Sequence, residues 1–456
     1  MAHRPEPPFA VPVPVLGLLE RLWTAGYAAF IVGGSLRDAL LGQPAADWDL
    51  ATGALPDEVL ETFPGAVYEN RFGTVAVRRD DEVYEITTFR SDHDYADFRR
   101  PHRIEFTAEI EQDLARRDFT VNAMAWGRSR TDLADGTPAR LIDPFGGRDD
   151  LAARSLRAVG DAVRRFEEDA LRMVRAVRLA TTLEFTIEPA TLEATAARAE
   201  LVAHLSGERV AGELGKILAA TQPSVGLRLL ESAGLLRHLL PELADQRGVP
   251  QNKIPGDDLW DHTVRAVDAA PGGLPIVRLA ALFHDIGKPA TAGDGHFHGH
   301  DAVGAEVTAA VLARLRMPRA VVERVAHLVR QHMFVYDDSW SDAAVRRFIG
   351  KVGLPALDEL LALRAADNVA SGRAVDTGGL AELRHRIDEQ LAADIALDRS
   401  DLAVDGADLI EELGLSPGPT IGRLLEELLE QVIANPVLND RPTLLLLAQA
   451  ALGEEP

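Results

Sequence analysis

The sequence predicts a multidomain protein in which an α+β head precedes an all-α remainder. Three observations carry this reading. At 456 residues the chain exceeds what one hydrophobic core ordinarily organises. Runs with the β-branched alternation of strands occur only in roughly the first 150 positions. From residue 151 onward nearly every stretch has helical periodicity, punctuated at "TQPS", "GGLP", "LRMP" and "LSPGPT". The expected divisions are a head over 1–150, a helical neck over 151–255, a second helical domain over 256–395 and a helical tail over 396–456.

Within the head, "PVLGLLERLWTAG" reads as an amphipathic helix and "YAAFIVGG" as a buried strand closing in a glycine turn. "SLRDALLG" restarts a helix with Ser35 as its cap. "DWDLATG", "GTVAVRR" and "VYEITTFR" read as strands.

Composition narrows the class. Hydrophobic residues at 46% and charged residues at 26% are those of a soluble globular protein. The absence of cysteine excludes disulfides, zinc-thiolate sites and iron–sulfur clusters, and favours the cytoplasm. The N-terminal "MAHRPEPPFA" lacks a signal-peptide core, and "TLLLLAQAAL" is too short to span a bilayer, so no membrane partner is expected. The net charge of −23 argues against a polyanionic partner, but the charge is uneven. Residues 398–456 carry twelve acids against three arginines, whereas residues 154–178 carry seven arginines against four acids. Nucleic-acid binding stays open. Arginine outnumbers lysine by 44 to 4, as a GC-rich coding bias produces.

In "VGGSLRDALLGQPAADWDLATG", Asp47 and Asp49 stand two apart and point the same way if the stretch is a strand. Two such carboxylates bridge a pair of magnesium ions in phosphate chemistry, and Glu85 of "VYEITTF" is the candidate third. The glycine turn before a helix offers free N–H groups to phosphate. Each motif alone reads first as a tight turn or a solvated edge.

The series "GGSLRDALLGQPAADWDLATG", "RFGTV", "TTFRSDHDYADFRRPHRIEF", "DLARRDFTVNAMA" and "LIDPFGG" resembles the head of class II CCA-adding enzymes and bacterial poly(A) polymerases, of the polymerase-β nucleotidyltransferase superfamily. The resemblance implies that Gly33, Gly34 and Ser35 hold a triphosphate, that Arg37 and Asp38 organise the site, and that Asp47 and Asp49 bind Mg²⁺. It implies that Arg116, Asp118 and Asn122 contact the nucleotide. The planar forks of Arg116 and Arg117 suit phosphate oxygens. One of the two is expected on a solvated helix face with Glu111 and Asp113, which leaves Arg116 for the nucleotide.

In the neck, "RRFEEDALRMVRAVRLA" has Leu171, Val174 and Val177 at helical spacing, with Asp169 and Arg172 a turn apart. By geometry alone this pair is a structural salt bridge. A carboxylate also accepts from the exocyclic amine of C or A, which G and U lack, while an arginine donates to ring acceptors. The resemblance gives Asp169 and Arg172 that templating part. Arg209 and Glu213 of "SGERVAGELGKIL" are expected to brace the neck.

Farther on, His262, His284, Asp285, His300, His332 and Asp367 follow in an order that resembles the HD phosphohydrolases, and the resemblance implies an HD domain over 256–395. That resemblance implies one or two divalent ions, Mg²⁺ or a transition metal, with a phosphoester as substrate. Lys288 is placed to steady a phosphate, while His296 and His298 read as loop residues. The tail, with "GPTIG" before a long amphipathic helix, resembles the closing segment of CCA-adding enzymes, and its acidic end favours tRNA over general RNA.

The function implied is addition of C, C and A to tRNA from CTP and ATP. The alternatives are partial CC or A addition, poly(A) synthesis, a metal phosphohydrolase with a binding-only head, and a non-enzymatic RNA-binding role. In this family the loop "RSDHDYADFRRPHRIEF" goes with switching from C to A.

Overall fold

The helix Val13–Thr24 turns Val15, Leu18, Leu19, Leu22 and Trp23 inward, the one-sided spacing of a helix laid on a sheet. The structure, a computed structural model, describes residues 9–453 apart from 46, 71–72, 96–100, 252, 294–295 and 394–395. The chain forms two compact units, residues 1–244 and 245–456.

The strands of the first unit are β1 (Ala29–Val32), β2 (Leu50–Thr52), β3 (Val67–Asn70), β4 (Thr74–Arg79), β5 (Glu82–Thr88), β6 (Arg90–Tyr95), β7 (Pro101–Phe106), β8 (Ala125–Arg128) and β9 (Arg140–Ile142). Seven make one sheet in the order β3-β4-β5-β2-β1-β8-β9, antiparallel except where β2 runs parallel to β5. β1 is buried throughout and feeds both faces. Ala29 and Ile31 join the core with Leu18, Leu22 and Trp48, whereas Phe30 and Val32 join Phe89, Ile110 and Leu114 on the other side. Trp48 thus occupies the core, between Asp47 and Asp49.

Three local expectations are corrected. Strand β2 begins at Leu50, so Asp47 and Asp49 lie on the approach to it, not within it. Its partner β1 stops at Val32, whose N–H donates to the Asp49 carbonyl at 3.1 Å, and the ladder ends there. The following helix starts at Gly33, not after a Ser35 cap, because Gly33 takes φ +75° and makes the turn itself. The stretch "RSDHDYADFRRPHRIEF" is not a plain loop: β6 and β7 pair antiparallel from Arg90↔Phe106 to Tyr95↔Pro101, and residues 96–100 lie outside the described residues.

Beyond residue 151 only Ser155–Leu156 and Thr186–Ile187 are strands among the described residues. The run "RRFEEDALRMVRAVRLA" is two helices, Ala162–Glu168 and Leu171–Leu183, broken where Asp169 takes φ −148°. Its carboxylate accepts the Leu171 N–H at 3.1 Å, the capping bond that makes aspartate a helix starter.

In the second unit, Leu259–Ala269, Pro275–Phe283, Arg319–Gln331 and Leu357–Ala370 pack together, and His300–Arg314 lies on Arg319–Gln331. The tail helices Gly406–Leu413, Pro419–Ala434 and Arg441–Gly453 share a core of Leu409, Leu428, Val432 and Leu444. Arg346, buried, donates to the Ile433 carbonyl at 2.7 Å and the Ala434 carbonyl at 3.3 Å, satisfying the free end of Pro419–Ala434. No described helix is long and apolar enough to cross a membrane.

Candidate functional site

The head cleft, about 220 Å³, is lined by Val32, Asp49, Thr74, Thr87, Arg90, Asp113, Arg116 and Arg117. Asp49 is fixed through its backbone: its N–H donates to the Ser35 hydroxyl at 3.3 Å, and that hydroxyl donates to the Val32 carbonyl at 3.1 Å. Gly33 is squeezed between the charges of the cleft. A β-carbon there would lie 3.1 Å from Arg117 Nη1 and 3.3 Å from Asp49 Oδ2, at a φ that L-residues avoid. Desolvation raises the pKa of Asp49, and nearby Asp47 adds to that against the pull of Arg117. Desolvation also raises Glu85 on β5, with Glu69, Asp49 and Asp47 reinforcing it. The three carboxylates thus feel one another's charge, but of the three only Asp49 lines the cleft, and they are not drawn together as closely as the His/Asp groups of the second unit.

Asp113 is buried, not part of a solvated face. Its Oδ1 takes Arg116 at 2.7 and 2.9 Å, and its Oδ2 takes Arg117 at 3.1 Å. Burial would raise its pKa, but the two guanidinium groups bring it below the usual range. Both arginines line the cleft, and Arg117, not Arg116, stands beside Asp49 and Gly33.

Behind the cleft, Arg37 donates to Asp38 and to the Asn122 side-chain oxygen, both at 2.8 Å. Asn122 donates to Asp118 at 3.1 Å, and Asp118 pairs with Arg175 at 2.8 Å. Burial pushes Asp118 up, but Arg175, Asn122, Arg172 and the Phe119 N–H outweigh it and hold the carboxyl at about 2. A β-carbon at Gly34 would lie 3.5 Å from the Arg37 guanidinium, ordinary van der Waals contact.

In the neck, Asp169 and Arg172 do not pair with each other. Arg172 is clamped by Glu168 at 2.8 Å, the Arg165 carbonyl at 3.0 Å and the Arg116 carbonyl at 2.9 Å. Asp169 is held by Arg209 at 2.7 Å, while Glu213 takes Arg178 at 2.9 Å. Asp169 lies in the break between the two helices and Arg172 in the second helix, and each residue has its own brace.

In the second unit the His and Asp residues converge as two triads, His262/His284/Asp367 and Asp285/His300/His332, all buried. Asp285 bridges them. Its Oδ2 lies 3.4 Å from His262 and 3.2 Å from His284, and its Oδ1 lies 3.3 Å from His300 and 3.6 Å from His332. Donor atoms about 2.1 Å from one ion stand about 3.0–3.4 Å apart, so these separations suit the edges of a coordination shell. The Nδ1 atoms of His284, His300 and His332 bond the carbonyls of Ala281, Phe297 and Val329, each three residues back. That fixes the tautomer and turns Nε2 inward. Nε2 of His300 and of His332 is buried with no hydrogen-bond partner among the described residues, an arrangement suited to a metal ion. Burial lowers the pKa of His284 against the pull of Asp285 and Asp367. Lys288 pairs with Asp285 at 2.7 Å, whereas His296 and His298 stack on each other with His296 exposed.

Residues 29–157 match the poly(A) polymerase head-domain family, residues 184–247 the RNA- and SrmB-binding site of polymerase A, and residues 302–448 tRNA nucleotidyltransferase domain 2. A CCA-adding enzyme from Geobacillus stearothermophilus is 33% identical over 438 residues, 96% of this chain and 95% of that protein. The chain belongs to the CCA-adding enzyme family. A solved structure of the Bacillus stearothermophilus CCA-adding enzyme in complex with CTP superposes with TM-score 0.72 at 29% identity, covering 97% of this chain and 99% of that one. An A-adding tRNA nucleotidyltransferase from Deinococcus radiodurans is 35% identical over 427 residues, 88% of this chain and 91% of that protein.

As a member of the CCA-adding enzymes the chain is a nucleotidyltransferase with the polymerase-β-like head and helical remainder of that family, and the family uses divalent metal ions. Two residues were not singled out by sequence reasoning. Arg175 carries the Asp118 ion pair, and its signal was its place one turn after Arg172 on the same helix. Lys253 reaches Asp367 at 3.3 Å and His262 at 3.4 Å from a segment with no helical or strand period.

Proposed function

We propose that this enzyme adds C, C and A to the 3′ end of tRNA from CTP and ATP, without a nucleic-acid template, in the cytoplasm. The supporting observation is the cleft in which Asp49, Gly33 and the Arg116/Arg117 pair meet at a helix start, within a chain alike to CCA-adding enzymes from end to end. The tRNA 3′-hydroxyl attacks the α-phosphate and pyrophosphate leaves. Asp47 and Asp49, with Glu85 near them, would hold Mg²⁺, which when bound supplies charge neutralisation and activation of the hydroxyl. The N–H groups of Gly33, Gly34 and Ser35 at the helix start, together with Arg116 and Arg117, receive the triphosphate. Arg37, Asp38, Asn122 and Asp118 form the rigid wall that keeps these groups in place. Asp169 accepts from the exocyclic amine of C or A, and Arg172 donates to the ring beside it.

The experiment is incubation with tRNA lacking one, two or three terminal nucleotides, each with CTP, ATP or both. Full CCA addition restores all three. Extension only of tRNA already ending in CC makes this an A-adding enzyme like the Deinococcus relative, and repeated AMP addition makes it a poly(A) polymerase.

The two buried triads support a second activity, metal-dependent phosphoester hydrolysis with Mg²⁺ or a transition metal, in which Lys288 steadies the phosphate. Phosphate release that survives Asp49→Ala and is lost in Asp285→Ala establishes it; release that follows Asp49 removes it.

A further inference from the structure

The chain uses 44 arginines and four lysines, yet two of the four lysines, Lys253 and Lys288, meet at the His/Asp centre. A lysine ammonium is a compact point charge on a flexible stem, the side chain closest in shape to a small cation, whereas arginine is a planar fork. Lys253 and Asp367 are 114 residues apart in sequence, so the fold builds this contact and local periodicity does not.

The two halves of the centre differ in charge. Lys253 Nζ lies 3.3 Å from Asp367 Oδ1 and 3.4 Å from His262 Nε2, both donor atoms of the first triad. Lys288 Nζ takes Asp285 Oδ2 at 2.7 Å, the oxygen that faces His262 and His284. Arg364 also reaches Asp367, at Oδ2 and 3.2 Å, so two ammonium groups and one guanidinium face two carboxylates on that side. The second triad offers the other oxygen of Asp285 and two inward Nε2 atoms without hydrogen-bond partners among the described residues. Beside Lys288, Gln251 is 8% exposed, and its carboxamide oxygen accepts from Nζ at 3.4 Å. Its Nε2 donor is buried and has no partner among the described residues. The same wall thus presents two ammonium groups and an unused N–H, the donors an incoming phosphate needs.

We propose that Lys253 is a tethered counter-cation of the His262/His284/Asp367 half of the centre. Its ammonium and a divalent ion oppose each other there until a phosphate group draws the ammonium off Asp367. One ion is held by the Asp285/His300/His332 half in the resting protein, and the second enters with the phosphate. This rests on the metal-centre reading above.

The test is a Co²⁺ titration of the full chain in the Asp49→Ala background, which removes the head's ion site. It is followed by equilibrium dialysis and cobalt absorption, with and without inorganic phosphate. The expected result is one tight Co²⁺ in the Lys253 protein and a second that binds roughly tenfold more tightly when phosphate is present. Lys253→Met takes up the second ion at the tightened affinity without phosphate, and phosphate then changes nothing. Lys253→Gln behaves alike, with melting curves of both variants matching the parent. Equal second-ion affinity in parent and variants, with or without phosphate, overturns the proposal and leaves the metal centre standing. Co²⁺ uptake that is absent, or indifferent to His300→Ala, overturns both.

Discussion

The head cleft and the His/Asp centre both gather carboxylates, and they balance them in opposite ways. In the head the counter-charges are arginines locked by a third party: Arg116 and Arg117 on buried Asp113, Arg37 on Asn122 and Asp38. The Asp49 carboxyl is left with its pKa raised. In the second centre two lysines, with Arg364 on the other oxygen of Asp367, are set directly on the would-be ligands, and, although burial works the other way, His284 and Lys288 hold Asp285 well below the ordinary range. Fixed planar cations suit a site that must present the same phosphate-binding surface at every turnover. A mobile point charge suits a site where occupants exchange.

The largest expected effect separates the two regions. Asp49→Ala lowers CTP and ATP incorporation by roughly three orders of magnitude, with tRNA binding and divalent-ion uptake at the His/Asp centre unchanged. Asp285→Ala does the reverse. Radiolabelled incorporation and metal dialysis on the same two variants read this out, and loss of both functions in either variant breaks the comparison.

An intermediate effect concerns base choice. Asp169→Ala reduces the preference for C and A over U and G by about 1–3 kcal/mol. Arg209→Ala acts through Asp169 and costs less. Its mark is a changed nucleotide preference with tRNA affinity intact, measured as the ratio of kcat/KM for UTP and CTP. Unchanged ratios in both variants remove Asp169 from base selection.

The smallest effect tests the wall behind the cleft. Asp118 is held at about 2, against 3.8 for a free aspartate, so its partners together, Arg175, Asn122, Arg172 and the Phe119 N–H, stabilise the folded state above pH 3.8. That contribution, about 2 kcal/mol, is lost as the pH falls through the window between the two values. Hydrogen exchange of the Phe119 amide across this window follows it, and Asp118→Asn flattens the dependence. A variant with the parent's acid sensitivity contradicts the assignment.

Much of this was legible in the sequence because chain-local patterns carry it. The continuous apolar run of "YAAFIVGG" and the alternation in "GTVAVRR" place β1 and β4, and the apolar row Leu171, Val174 and Val177 is buried as its spacing requires. Local pattern failed where a polar side chain chose between partners. The apolar period runs unbroken through Asp169, so the helix break depends on a capping bond that periodicity does not encode. Whether Arg116 or Arg117 faces Asp49 depends on how Asp113 shares its two oxygens, and Asp113 had to be buried to do so. Lys253 sits on an irregular segment whose meaning comes only from Asp367, far along the chain.

Asp113 has one consequence beyond holding charge. Oδ1 takes Arg116 and the N–H of Arg90, the first residue of the β6–β7 ribbon, and Oδ2 takes Arg117. The spacing of two cations in the cleft is therefore set by the width of one carboxyl group, a covalent dimension that warming and mutation of distant residues leave alone. The ribbon hangs from the same carboxyl group, so its first residue and both arginines share one anchor.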